Sequence, residues 1–262
     1  MRDFISDISA HQKDPSKIAQ EGQKQQLPKR FYKQATVEAG DEGAFRVVLD
    51  GRPVKTPGRS DLAAPTPALA ELIAAEWNAQ GEVIDPFSMP VTRLVNTAID
   101  GVSTDPQAVH EDILRFSSSD LLCYRAGEPH ELVERQAERW DPVIDWAANQ
   151  LGARFILIEG IMHQEQPREA ISAFAVTLRK YDTPLALAAL HSMTTLTGSA
   201  ILALAHAEGV WTLDEVWALA HLDEDWTIEH WGEDAEAKAR RDKRFEEMRA
   251  ASQTLSALMT SE

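Results

Sequence analysis

LALAALHSMTTLTGSAILALAHA, residues 185–207, decides the fold class. Its 23 residues include no Asp, Glu, Lys or Arg. About 20 such residues suffice to cross a bilayer. However, His191, His206, Gly198 and several Ser and Thr residues dilute its hydrophobicity. A helix enclosed on every side by a large helical domain has the same all-round apolar pattern. Nothing else in the chain looks like a membrane protein. The stretch is therefore read as one buried helix, with no membrane insertion, opened by Thr183 as N-cap and Pro184 at the first helical position.

Working outward, the surrounding signals are helical back to about residue 103. Thr212 caps the next helix, with Glu215 placed for a capping box. Gly232 ends that acidic helix before a charged one over about residues 234–255. On the other side, Asp105-Pro106 opens a helix running toward Leu122. Another spans about 131–151, with Pro142 as a kink or a break. Pro167 opens a third through Ile171, Phe174 and Leu178.

Before residue 100 the pattern changes. Phe45-Arg46-Val47-Val48-Leu49 runs into Asp50-Gly51 and then Arg52-Pro53-Val54-Lys55-Thr56. An Asp-Gly pair between such runs signals a tight hairpin, because a type I′ turn needs positive φ at both central residues. Pro53 cannot donate to a ladder, which places it on an edge strand. Thr66-Pro67 opens a helix through Leu69, Leu72, Ile73 and Trp77, ended by Gly81, and residues 83–91, broken by Pro86 and Pro90, offer only short extended pieces. The fold class is α+β: a small N-terminal β-rich domain over 27–100, then a larger, mainly α-helical domain over 101–262. Residues 1–26, polar and rich in Gln and Lys, read as a mobile tail.

The chain has 262 residues, with 26 Lys and Arg against 42 Asp and Glu, a formal charge of −16. That balance argues against nucleic acid, whose affinity comes from cationic contacts with phosphate. It fits a basic protein partner or simple solubility. Cys123, the single cysteine, lies in the apolar Leu121-Leu122-Cys123-Tyr124 and reads as a buried inert thiol. Residues 1–30 hold neither the apolar run of a secretory signal nor the acid-poor composition of a mitochondrial presequence.

From Asp214 to Glu236 the chain places nine carboxylates and three tryptophans with no Lys or Arg among them. Helix faces normally mix signs three and four residues apart. Unmixed acids with amphipathic rings suit docking, so 213–237 is read as a docking segment. The plainer alternatives are a solvated helix face for the acids and core packing for Trp226 and Trp231. The basic residues of the last helix, Lys238, Arg240, Arg241, Lys243 and Arg244, partly offset the acids.

A search for catalytic chemistry returns little. No glycine-rich phosphate loop, zinc-protease helix or serine nucleophile elbow is present. His221, Asp225 and Glu229 share a helix face, but three ligands spread over about 12 Å of axis cannot all reach one ion. No catalytic residue, cofactor or metal is expected.

Six blocks in order carry a family resemblance: Arg30-Phe31-Tyr32-Lys33, Leu49 to Pro57, Met89 to Asp100, Asp120 to Arg125, Trp140-Asp141-Pro142 and Trp231-Gly232-Glu233-Asp234. Over roughly residues 29–255 the chain resembles the assembly chaperones of the ATP synthase catalytic head (F1) that attend its α subunit. The last block resembles bacterial, α-proteobacterial members. The resemblance implies the same two-part fold and ATP-independent holding of unassembled α subunit until β takes its place. It further implies a cytoplasmic location (mitochondrial matrix for eukaryotic relatives) and a monomer acting one-to-one. The family's functionally sensitive acid falls in Leu222-Asp223-Glu224-Asp225-Trp226, where this chain has Asp at two places that relatives often fill with Glu. All three acids are carried, Glu224 first, then Asp223 and Asp225, with Trp226, Glu229 and Trp231 as further partner-binding candidates. A metal-dependent hydrolase on the acidic helix, or a scaffold for a different protein, are the alternatives.

Overall fold

Asp50 and Gly51 take φ of +49° and +81° and close the expected hairpin. In this computed structural model, which describes residues 27–160 and 164–259, strand β2 (Phe45–Leu49) is central. It pairs antiparallel with β1 (Ala35–Ala39) from Ala35↔Leu49 to Ala39↔Phe45. Along its other edge lie β3 (Arg52–Pro53) and β4 (Ala63–Ala64), so Pro53 does sit on an edge strand. The tail expected over 1–26 lies outside the described residues.

Val47 and Leu49, two apart and thus on one face of β2, pack against Leu69 and Ile73 of helix α1 (Pro67–Asn78). Thr66 caps α1 by accepting from Leu69 N at 3.3 Å. The helix stops at Asn78, ahead of Gly81. Helix α2 (Pro90–Asp100) follows. Its N-terminal donors Val91 N, Thr92 N and Thr92 Oγ1 all reach the Glu76 carboxylate at 2.7 Å. This cap was not legible locally, because Glu76 lies on α1. At the other end of α2, Asp100 accepts from Thr56 Oγ1 (2.6 Å) and Gly58 N (2.7 Å), tying the helix to the loop after β3.

Asp105 caps α3 (Pro106–Ser117) through Ala108 N. A short turn at Leu121–Cys123 leads into β5 (Tyr124–Arg125), which pairs in parallel with β6 (Ile158–Glu159). Cys123 is buried, and burial pushes its thiol far above the usual range. Helix α4 (His130–Trp146) runs unbroken through Pro142 and continues into a π-helical turn, Ala147–Leu151. Trp140, Val143 and Ile144 on either side of that proline are all buried, and Trp140 Nε1 donates to Leu219 O at 2.9 Å. Packing of this kind holds a helix together despite the amide donor that proline removes. Helix α5 (Arg168–Leu178) follows.

The stretch that decides the fold class is buried as expected, yet it is two helices. Helix α6 (Pro184–Thr197) ends at Gly198, whose φ of +71° is left-handed, and Ser199 caps α7 (Ala200–Ala207) through Leu202 N at 3.0 Å. Asp120 seals the break. Its carboxylate accepts from Ile201 N (3.0 Å) and Leu122 N (3.1 Å), while Leu121 N donates to Gly198 O (3.1 Å). No described helix is long and apolar enough to cross a membrane.

The acidic segment also divides. Thr212 and Glu215 form the capping box of α8 (Leu213–Ala220), which ends at His221, and α9 (Leu222–Trp231) starts anew. Gly232, with φ of +91°, then separates α9 from the 25-residue α10 (Ala235–Met259). Met248, Ala251 and Leu255 of α10 enter the large hydrophobic cluster of the helical part. Ala250 and Ala257 enter the smaller cluster beneath the sheet. Thr66 Oγ1 donates to Ala257 O at 2.9 Å, joining the cap of α1 to the end of α10. The result is a small strand region followed by a mainly helical body, with α10 packed on both.

Candidate functional site

Helix α9 sits between α4 and α10, and its acids face different neighbours. Leu222 and Trp226, four residues apart, point inward. Asp225 pairs with Arg241 of α10. Glu229 receives both arms of the Arg135 guanidinium of α4, at 2.7 and 2.8 Å, which holds the Glu229 carboxyl below its ordinary pKa. The same guanidinium lies 5.5 Å from the Trp226 ring centroid, and His230 stacks at 4.1 Å on that ring. Asp223 accepts from Gln136 Nε2 at 2.8 Å. Glu233 meets Lys238 at 3.0 Å, and Asp234 caps Ala237 N at 2.7 Å.

Glu224 is the exception in this block. Its nearest cationic candidate is His221 Nε2 at 4.0 Å, and its side chain is 42% exposed. Burial lowers the His221 pKa, which favours the neutral ring and weakens any ion pair. Among the described residues no hydrogen-bond donor reaches the Glu224 carboxylate. Seven residues on, two helical turns and about 10 Å along the axis, Trp231 stands 75% exposed. Thr227 lies between them, also exposed. One face of α9 thus offers an open carboxylate and an open indole on a helix pinned through its other acids.

The structure therefore sorts the six candidates. It presents Glu224 and Trp231 outward and keeps Asp223 at the surface on an amide partner. Asp225 and Glu229 are engaged with the protein's own arginines. Trp226, expected among the contact residues, is buried at 9% exposure beneath Arg135 and His230, so its ring supports the helix. His221, Asp225 and Glu229 do not converge; among the described residues no three His, Cys, Asp or Glu are placed to hold a metal. Arg241 was legible as an offsetting charge. Arg135 and Gln136 were not, since they lie 94 and 87 residues before the acids they meet.

Residues 29–148 match the family described as ATP12 chaperone protein. The crystal structure of Atp12 from Paracoccus denitrificans aligns with a TM-score of 0.81 and 40% identity, covering 88% of this chain and 98% of that one. The crystal structure of a candidate chaperone from Agrobacterium tumefaciens aligns with a TM-score of 0.88 and 64% identity, covering 95% and 93%. The mitochondrial protein atp12 of Schizosaccharomyces pombe is 26% identical over 224 residues, 79% of this chain and 75% of that protein. Fold, block order and near-complete coverage of a relative at 40% identity agree: the chain belongs to the ATP12 chaperone family, which serves ATP synthase assembly.

Proposed function

We propose that this protein is an ATP-independent chaperone that binds the unassembled α subunit of F1-ATPase in the bacterial cytoplasm and prevents its aggregation before α/β ring assembly. It acts by binding and carries out no catalysis. The observation that carries this reading is the outward face of α9. There Glu224 has only a loose 4.0 Å contact with His221, while Glu229 and Asp225 beside it are paired with arginines of the fold. A carboxylate left open beside an exposed indole suits a cationic and apolar patch on a client surface. An orphan ring subunit exposes the apolar surface it would bury against its neighbour, and such surface associates wrongly. A holdase that covers it must bind weakly enough to yield to the true partner.

The test is co-expression with the cognate α subunit, without β, followed by size-exclusion chromatography. A soluble one-to-one complex that is lost on Glu224→Lys, with the variant still folded by circular dichroism, supports the function and the site together. A complex that survives the reversal keeps the function and moves the site. Precipitation of α while this protein elutes alone overturns the reading.

A further inference from the structure

Strand β1 lies at the edge of its sheet, pairing with β2 alone. Val47 N donates to Leu62 O at 3.3 Å and Val47 O accepts from Val54 N at 3.0 Å, so the odd-numbered residues of β2 turn their peptide groups away from β1. The bonded pairs of the β1–β2 ladder are therefore Thr36↔Val48 and Glu38↔Arg46. The peptide groups of Ala35, Val37 and Ala39 point toward the open edge. Ala35 is capped there. The Asn78 side-chain amide accepts from Ala35 N and donates to Ala35 O, both at 2.8 Å, in the manner of a neighbouring strand's peptide group. Among the described residues no hydrogen bond reaches the outward groups of Val37 and Ala39. Glu38 between them is exposed and, among the described residues, has no ion-pair partner, its cross-strand neighbour Arg46 being held by Asp41.

We propose that this edge receives an extended segment of a partner polypeptide as an added antiparallel strand, with a Lys or Arg opposite Glu38 and an apolar residue on either side of it. A row of unpaired N–H and C=O groups at strand spacing is complementary to extended backbone. The existing pairs of this sheet are all antiparallel. A further antiparallel strand bonds Val37 and Ala39 and sets its intervening residue opposite Glu38 in a non-bonded pair. Cα atoms in such pairs come within about 4.5 Å, where unlike charges attract and like charges repel most closely. The pleat sends the residues opposite Val37 and Ala39 to the core face, where Val37 and Phe45 are only partly covered. That fixes the pattern apolar, cationic, apolar. A second copy of this chain does not fit. Pairing the two edges about Glu38 sets Glu38 against its own copy, and pairing them about Val37 brings each Asn78 cap against the other copy's Ala39. The Asn78 cap ends the added strand, so the contact is short and reversible. This inference does not depend on which client the protein serves, nor on the α9 face.

The test uses the full chain and the acetylated, amidated peptide Thr-Val-Lys-Val-Thr, followed by amide-resolved NMR. In the free protein the Val37 and Ala39 amides should exchange at least tenfold faster than those of Thr36 and Glu38, which bond β2. The peptide should slow them and bind saturably, about fivefold more tightly than Thr-Val-Glu-Val-Thr, with the preference reversed in Glu38→Lys. N-methylation of both peptide valines, or Val37→Pro in the protein, should weaken binding at least tenfold. The proline removes only an outward N–H, which an edge strand tolerates, and the methylated peptide gives the same reading should that variant not fold. Slow exchange at Val37 and Ala39 in the free protein overturns the proposal, because the edge is then already covered. Absence of saturable binding, or binding indifferent to methylation or to the sign of the central residue, also overturns it. So does a concentration-dependent dimer that is lost in Val37→Pro, since the occupant is then a second copy.

Discussion

Two carboxylates in this molecule stand near helix starts and meet opposite fates. Asp120 is fully buried at the break between α6 and α7, where its oxygens collect Ile201 N and Leu122 N. Glu224 sits in the first turn of α9, half-exposed, with no closer ion-pair contact among the described residues than the His221 ring at 4.0 Å. The first is a structural part: a buried anion persists only where donors replace its water. The second is held only loosely by the fold, so most of its carboxylate faces solvent. Charge near a helix start is therefore no guide to role until the donors around it are known.

The largest expected effect breaks the buried half of that comparison. Asp120→Ala should lower stability by about 3 kcal/mol, because it leaves buried amides without acceptors. Chemical denaturation monitored by circular dichroism reads this directly. Burial raises the Asp120 pKa from 3.8 to about 6. The folded state therefore holds this proton more tightly than the unfolded chain does. Stability from this group is greatest below pH 4 and is lost as pH rises toward 6, about 3 kcal/mol for a shift of that size. In Asp120→Asn that pH dependence should vanish, so wild type and variant should converge in stability or cross between pH 4 and 6. An unchanged wild-type slope in the variant would assign the titration to another group.

A smaller loss should follow at Gly198. Its left-handed φ strains any other residue, and Gly198→Ala should cost about 1 kcal/mol in the same assay. Arg135→Met tests the support of α9. Its pair with Glu229 is partly exposed, so the loss, including the contact with Trp226, should be about 1 kcal/mol or less. Faster amide exchange confined to α9 would mark it as local. Glu224→Lys and Trp231→Ala should change stability least, within about 0.5 kcal/mol. The proposed function inverts that order: under it, these two variants should weaken binding of α subunit most, by tenfold or more in a pull-down titration. Asp120→Asn should leave it intact wherever the protein remains folded. If Trp231→Ala retains full capture, the contact reduces to charge alone.

Much of the architecture was legible because its causes are local. A turn or cap is settled by side chains two to four positions from the backbone they serve, as at Asp50-Gly51, Thr66-Pro67, Asp105-Pro106, Thr183-Pro184 and the Thr212–Glu215 box. The splits in the two long helical stretches were partly written there too. Gly198-Ser199 carries both a terminator and a cap, a helix-break signal within an otherwise continuous apolar run. The break at His221 has no comparable signal, since its flanks are helix formers and its ring is held by Trp217 O at 2.8 Å within a buried setting.

The candidate site divides along the same line. That residues 214–236 are acidic and rich in tryptophan, and that local pairing leaves their charge unmatched, belongs to the sequence alone. Which of those acids remains open was decided only by the packed fold. Arg135, Gln136 and Arg241 arrive from 94, 87 and 16 residues away, and Trp226 turns inward beneath one of them. Helical periodicity and capping act over a few residues, so sequence can carry them. The matching of charges is settled by whichever helices pack side by side, and that distance exists only once the chain has folded.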